Sequence, residues 1–419
     1  MLNSDIEKSL QKLKQNSKQQ RQLSASVKNK VLLALAEKLV HQGPLLIAAN
    51  EMDLKRLPVT ATVAFRDRLT LNSERLAAMG ESLRQVAQLQ DPVGEIIEES
   101  KLANGLQTQK VRAPLGIIFM IFESRPNVIL EAFSLAFKSG NSIILRGGSD
   151  SSETAKAIYE MMTQTLAEFG LQDVAFYGLQ NYDHSIVDDL LKRKDLIDIV
   201  IPRGGENLIN YVQRTALMPI IKNDRGLCHT YVDEDADLSM AQNIVVNAKT
   251  QRPGVCNALE TVLVHQKIAE KFISDLYEAT NSLQLIWYGD PQTLKILDRK
   301  ARVHPATEQS WNTEYLDLII NCRVVVSLAE ALQHIELHGS KHSEAIVTSS
   351  EKKAHVFQIE VDAAAVYWNA STRFTDGYQL GLGGELGIST QKLHVRGPVG
   401  LRELTTARWL ISGTGQIRS

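Results

Sequence analysis

Cysteine is scarce: Cys228, Cys256 and Cys322 are the only three in 419 residues, and no two form a C-x-x-C pair. Thiols so few and scattered exclude a disulfide framework or a zinc cluster of ordinary spacing, and they read as reduced side chains. Charge of one sign is not in excess either. Lysine and arginine number 46 against 48 acidic residues, a net charge of −2, which leaves no electrostatic case for a nucleic-acid or anionic-membrane partner. No apolar run approaches the roughly 18 residues of a membrane span; residues 31–40 are short and carry Glu37 and Lys38. Residues 1–20 interleave Asp5, Glu7, Lys8, Lys12 and Lys14 with apolar positions, unlike a secretory or transit segment. A soluble, cytoplasmic protein is the expectation. Internal repeats, low-complexity linkers and a G-x-G-x-x-G fingerprint are also missing. The cluster Gly381-Leu382-Gly383-Gly384-Glu385-Leu386-Gly387 misses that fingerprint by one position and lacks a flanking strand and helix.

What is present is an ordinary globular balance, 44% hydrophobic with 22% charged, enough to build a core for two or three domains. Ile6, Leu10 and Leu13, then Val27, Val31, Leu35 and Leu39, recur at helical spacing with charges between them. Residues 95–112 place two polar, extended-looking segments around Asn104-Gly105, which predicts a hairpin with a type I′ turn; a loose loop is the alternative, since the segments alternate poorly. From residue 115 short apolar runs alternate with helical stretches, at 115–122, 142–146, 174–177, 197–202, 219–222, 230–232 and 261–265. This predicts an α/β fold with a mostly parallel sheet and helices on both faces. Runs at 318–326 and 344–347 predict a second α/β domain.

Two turns look built for an anion. The first run-into-glycine is Arg146-Gly147-Gly148-Ser149, followed by Asp150 and Glu153 in a capping-box pattern. Glycines let backbone N–H groups approach a phosphate, the helix end adds partial positive charge, and the arginine adds a full one. The second, Arg203-Gly204-Gly205, repeats the design. An ordinary strand-to-helix turn is the competing reading of either.

Among the cysteines, Cys256 follows a Pro253-Gly254 turn inside Gln251-Arg252-Pro253-Gly254-Val255-Cys256-Asn257. A sharp bend there would turn the Cys256 N–H toward a carbonyl under attack, and Arg252 or a helix end would favour the thiolate. A buried structural thiol is the alternative. Cys228 and Cys322 read as small hydrophobes, and Cys228–His229 cannot pair by adjacency because strand neighbours face opposite ways. His334, His338 and His342 recur every fourth residue, but Gly339-Ser340 should end the helix, and the glutamate is misplaced for H-E-x-x-H. No metal site is expected.

Over nearly its whole length the chain resembles the γ-glutamyl phosphate reductase family of the aldehyde dehydrogenase superfamily. The likeness is carried in order by residues 112–116, 122–127, 145–149, 201–205, 228–233, 253–256 with Glu260-Thr261, 314–317, 331–346, 369–377, 384–390 and 394–404. It implies an aldehyde dehydrogenase-like fold: a Rossmann-type NADPH-binding domain (1–94 and 114–227), a catalytic α/β domain (228–399), and an oligomerisation hairpin and C-terminal strand (95–113 and 400–419). It also implies NADPH-dependent reduction of L-glutamyl 5-phosphate to L-glutamate 5-semialdehyde with release of phosphate, in proline biosynthesis, through a thioester on Cys256. The resemblance puts Arg146, Gly147, Gly148, Ser149, Arg203, Gly204, Gly205 and Glu314 at the cofactor, and Arg125, Asn369, Ser371 and Arg373 at the substrate. A homodimer or dimer of dimers, and transient contact with a glutamate 5-kinase, are implied partners.

Two departures from the wider superfamily follow from counting along matched segments. Ser124 stands where hydrolytic relatives have an oxyanion-hole asparagine, so a catalytic role for Ser124 leaves the Cys256 N–H as the firmer donor. Asn223 stands where they have the water-activating glutamate, and an amide cannot act as a base at neutral pH. An aldehyde dehydrogenase that uses coenzyme A, or a silent cofactor-binding homologue, are the alternatives.

Overall fold

The computed structural model describes residues 4–418 apart from Ser124, Asp224 and the side chains of Val63 and Ala64. The chain forms two compact units, Met1–Lys222 with Gly381–Gly387 and Val399–Ser419, and Asn223–Leu380 with Ile388–Pro398. This differs from the expected division. The hairpin and C-terminal strand cluster with the first unit rather than standing apart, and the glycine-rich 381–387 returns to it as well. Gly383, with a φ of +72°, sits against Leu89, where a side chain would clash.

The first unit is built on a four-stranded parallel sheet in the order Phe176–Gly178, Ser142–Arg146, Ile117–Phe122, Ile199–Arg203. Numbered within this sheet the order is 3-2-1-4, and open sheets of this kind take ligands beyond the carboxyl ends of their strands, where the order reverses. Every residue of Ile117–Phe122 is buried, as both faces of such a strand are covered. Ile6, Leu10 and Leu13 of the first helix, Ser4–Gln22, pack with Ile117, Phe119, Ile121 and Val200, which is the role their spacing predicts. The run at 219–222 yields only one bridge, Ile220 to Val200, because Pro219 has no N–H with which to extend the ladder.

The hairpin is present: Ile96–Lys101 pairs antiparallel with Gln107–Pro114, and Thr405–Ser412 adds a third strand with Thr405 opposite Pro114. Its turn differs from the type I′ expectation. Leu102 N–H donates to Leu106 O and Gly105 N–H to Leu102 O, and of Asn104 and Gly105 only the glycine is left-handed, at +88°. A three-residue connection ending in a left-handed glycine needs positive φ once, not twice.

The second unit carries a seven-stranded parallel sheet in the order Val303–Pro305, Ile286–Gly289, Ile319–Val325, Leu259–His265, Cys228–Val232, Ser343–Val347, Ala365–Trp368. The apolar runs foretold the four central strands. The three outer ones are short and only partly buried, so no long apolar run marks them.

Candidate active site

Cys256 lies between the helix Leu238–Thr250 and the strand Leu259–His265, in a sharp turn closed by Ala258 N–H donating to Val255 O (3.0 Å). It is half-buried, whereas Cys228 and Cys322 are fully buried. Burial pushes the Cys228 thiol well up and the Cys322 thiol up to about 12, so neither is a thiolate at neutral pH.

The backbone of Cys256 is held from below. A Cβ on Gly226 would lie 1.6 Å from the Cys256 carbonyl oxygen, so only glycine fits there. The same oxygen accepts a bond from Cys228 Sγ at 3.2 Å. Gly226 N–H donates to Glu314 Oε1 (2.8 Å), and Leu227 N–H to Ser340 Oγ (2.8 Å). Glu314 thus secures the segment under Cys256. Its own loop is fixed by Leu316 N–H donating to Glu260 Oε1 (3.3 Å), while Glu260 Oε2 meets Lys249 Nζ at 3.0 Å with both side chains 1% exposed. Burial raises Glu260 to about 7 against the pull of Lys249, and burial likewise lowers Lys249.

From the other side, the Thr372–Phe374 turn docks on the loop. Asn257 Nδ2 donates to Thr375 O (2.8 Å), Thr372 Oγ1 donates to Asn257 O (2.8 Å), and the Arg373 guanidinium donates to Gln251 Oε1 and Asn257 Oδ1. Thr375 Oγ1 continues to Ser343 Oγ (2.7 Å), and Ser343 to His342 Nδ1 (2.8 Å).

Among the described residues no group of three or more histidine, cysteine and carboxylate side chains is placed to hold an ion. His334 and His338 end the helix Leu328–His338 with ring centroids 4.6 Å apart, and His342 lies beyond Gly339, as the expected helix stop requires. Behind them His229 Nδ1 meets Glu344 Oε2 at 3.0 Å, both 1% exposed. Burial, with His229 and His338 nearby, drives His334 down to about 2; burial lowers His338 and raises Glu344.

In the first unit the two arginine–glycine turns stand at the carboxyl ends of their strands, as expected, but protein carboxylates already cap the helices that follow. Asp53, 1% exposed, accepts from Glu153 N–H (3.1 Å), Thr154 N–H (2.8 Å) and Thr154 Oγ1 (2.6 Å) at the start of Ser152–Glu168. The capping box foreseen from Asp150 and Glu153 is replaced by this distant aspartate. At the second turn Gly205 N–H donates to Glu123 Oε1 (2.7 Å), an exposed side chain, and a Cβ on Gly204 would strike that carboxylate.

The arginines themselves keep unspent donors. Arg146 Nη2 donates to Tyr182 O (3.1 Å), its guanidinium lies 5.9 Å from the Tyr182 ring centre, and its buried Nε has no partner. Arg203 Nη1 donates to Leu386 O (2.7 Å), and its buried Nε is likewise unpartnered. Buried donors left over at strand ends fit a phosphate-bearing group.

The remaining foreseen residues scatter. Arg125 is half-buried between Phe122 and the helix Asn127–Lys138. Ser371 Oγ accepts from Arg373 N–H. The Asn369 amide is consumed by Thr348, accepting from its N–H and donating to its carbonyl at 3.0 Å each. Ser124 lies outside the described residues. Sequence reasoning missed Asp53, Gly226, Gln251 and the Lys249–Glu260 pair; only Glu260 left a trace, as a charge inside a run that reads as a buried strand.

Comparison with known proteins agrees with this architecture. A model of the aldehyde dehydrogenase family matches residues 2–297. A γ-glutamyl phosphate reductase of Halothermothrix orenii is 47% identical over 96% of both chains, and one of Clostridium botulinum is 45% identical over 94% of this chain and 95% of its own. The crystal structure of the Thermotoga maritima γ-glutamyl phosphate reductase superposes with a TM-score of 0.96 at 42% identity, covering 99% of this chain and all of that one. The chain therefore belongs to the aldehyde dehydrogenase family and, within it, to the γ-glutamyl phosphate reductases.

Proposed function

We propose that this protein reduces L-glutamyl 5-phosphate to L-glutamate 5-semialdehyde with release of phosphate, in proline biosynthesis, through a thioester on Cys256. The observation that carries this reading is the state of the three thiols: Cys256 alone is accessible, on a loop held from two sides, in a chain of this family. The Cys256 sulfur attacks the acyl carbon and displaces phosphate, and the resulting thioester is reduced to the aldehyde, returning the thiolate. Backbone N–H groups at the Cys256 bend are suited to stabilising the oxyanion, a role we extend to Ser124 by family position. Asn223 supplies no base, so the thioester is shielded from hydrolysis and open to phosphate in reverse.

A bound nicotinamide supplies the hydride. The residues that would hold the cofactor are Arg146, Gly147, Gly148, Ser149, Arg203, Gly204, Gly205 and Glu314. Of the two helix starts, the one at Gly205 is the better pyrophosphate site, because its cap Glu123 is exposed and displaceable while Asp53 is not. Arg146, with an unused donor, suits the extra phosphate of NADPH, which we prefer over NADH. Arg125 and Ser371 are the better-placed substrate candidates by family position, since the Asn369 and Arg373 side chains are engaged within the protein.

Assembly into a homodimer or dimer of dimers is supported by the strand Thr405–Ser412, exposed after its first residue, with Trp409 and Ile411 in the open; such edges are ordinarily paired or covered. Transient docking of a glutamate 5-kinase would spare the unstable acyl phosphate.

The test is NADP reduction by glutamate semialdehyde with and without phosphate, for the wild type and Cys256→Ala. Phosphate dependence lost with the thiol is the expected result. Activity near the wild-type level in Cys256→Ala would end the thioester reading.

A further inference from the structure

The guanidinium of Arg373 reaches both ends of the segment that carries Cys256. Nε and Nη2 donate to Gln251 Oε1 at 3.0 and 2.9 Å, before the nucleophile, and Nη1 donates to Asn257 Oδ1, directly after it. Asn257 answers by donating to the Arg373 and Thr375 carbonyls at 3.3 and 2.8 Å. We propose that Arg373 is a positioning residue for the nucleophile: its planar fork closes the 251–257 loop around Cys256, and its charge favours the thiolate that attacks the acyl phosphate. The proposal rests on Cys256 being the nucleophile and assigns Arg373 to that thiol rather than to the substrate.

Three features support the assignment. A guanidinium can bridge two amide oxygens in one plane, which an ammonium on a flexible stem does poorly. The fork is itself held, because Arg373 belongs to the Thr372–Phe374 turn, which Thr372 ties to Asn257 O and Thr375 ties to Ser343 and Tyr367. Arg373 is also close enough to Cys256 for their charges to interact, alongside Arg252, Asp376 and Cys228. Burial and the neighbouring Arg252 pull the Arg373 guanidinium below its ordinary value, with Asp376 and Cys256 opposing.

The charged groups around the thiol do not all act in one direction. Arg252 on the same loop and Arg373 on the docked turn favour the thiolate. Glu314, on the far side of Gly226, opposes it. The Glu260–Lys249 pair is internally matched, and burial keeps the Cys228 thiol behind the Cys256 carbonyl protonated. Arg373 is the one cation of the set that is both half-buried and bonded on each side of the cysteine.

The experiment is alkylation of the full-length protein by iodoacetamide across pH, with Cys256→Ala as the blank, comparing wild type, Arg373→Leu, Arg373→Lys and Gln251→Ala. Arg373→Leu should move the alkylation midpoint up by about one pH unit and slow labelling at pH 7 about tenfold, with the high-pH limiting rate unchanged. Arg373→Lys should return most of the midpoint while kcat stays low, because charge is restored without the fork. Gln251→Ala should leave the midpoint in place and lower kcat. The proposal fails if Arg373→Leu keeps the wild-type midpoint and instead raises KM for the acyl substrate, as a substrate grip would. It fails equally if the Cys256→Ala blank labels at the wild-type rate, or if Arg373→Lys behaves as Leu does in the midpoint. Should Arg373→Leu not fold, the Lys and Gln251→Ala profiles decide. Labelling needs no turnover, so the outcome is separate from that of the Cys256→Ala activity assay.

Discussion

Both units bury ionisable groups, but Asp53 and Lys28 in the first and His334 and Glu344 in the second are accommodated differently. In the first, Asp53 is 1% exposed yet lies on a helix start, with two N–H groups and a hydroxyl on its carboxylate. Lys28, fully buried, has Asp91 at 2.8 Å and the Lys138 carbonyl at 3.1 Å. In the second, burial raises Glu344 and lowers His334 and His338. A charge survives burial where fixed dipoles or a counter-charge are built around it; otherwise the protonation state gives way. The Lys249–Glu260 contact in the second unit combines the two, an ion pair whose members burial still shifts.

The comparison breaks most visibly at Asp53. Asp53→Ala should cost about 2–4 kcal/mol of unfolding free energy, because two helix N–H groups and the Thr154 hydroxyl lose their acceptor. Denaturant unfolding measures it, and a loss below about 0.5 kcal/mol would mean the helix start is satisfied without the carboxylate.

Arg146, like Arg203, is a half-buried cation of the first unit with an unpartnered donor. Arg146→Ser should raise KM for NADPH roughly ten- to a hundredfold and for NADH less than threefold. Equal increases would remove the 2′-phosphate from that arginine.

Smaller is the acid response of the second unit. Folded His334 resists protonation down to about pH 2, while the unfolded side chain takes a proton below its ordinary 6.5. Its contribution is therefore complete above pH 6.5 and declines as pH falls below that, by about 1.4 kcal/mol per pH unit. Glu260 and Glu344 act with the opposite sign, since folding raises both and lets them take a proton earlier than the unfolded chain does. The informative quantity is thus the difference in slope between wild type and His334→Leu from pH 6.5 to 4.5. Parallel slopes would show that His334 charges in the folded state.

Least of all should be Glu123→Gln. Its exposed side chain accepts a single N–H, so stability should change by less than about 0.5 kcal/mol while NADPH binding tightens about two- to threefold as a like charge leaves the Gly205 turn. Weaker binding would indicate that Glu123 contacts the cofactor rather than reserving its place.

Much of this was legible in the chain. The Ser142–Arg146 strand is centred on the apolar residues Ile143, Ile144 and Leu145, because a strand covered on both faces buries successive side chains on each. Cys256 was singled out by Pro253-Gly254 before it, and the order of family segments around it settled which of two readings of that thiol to prefer. Gly226 carried no signal, since its need for glycine arises from a carbonyl 30 residues away in the chain.

The amino-acid order was sufficient for elements whose cause is local: helical spacing, apolar strands and the glycine turns. Folding decided the groups whose partners are distant. Asp53 meets Thr154 across 101 residues, Arg373 meets Asn257 across 116, and Glu344 meets His229 across 115. Each depends on burial and on an acceptor or donor brought up by another element, and neither burial nor proximity is a property of a short stretch of chain.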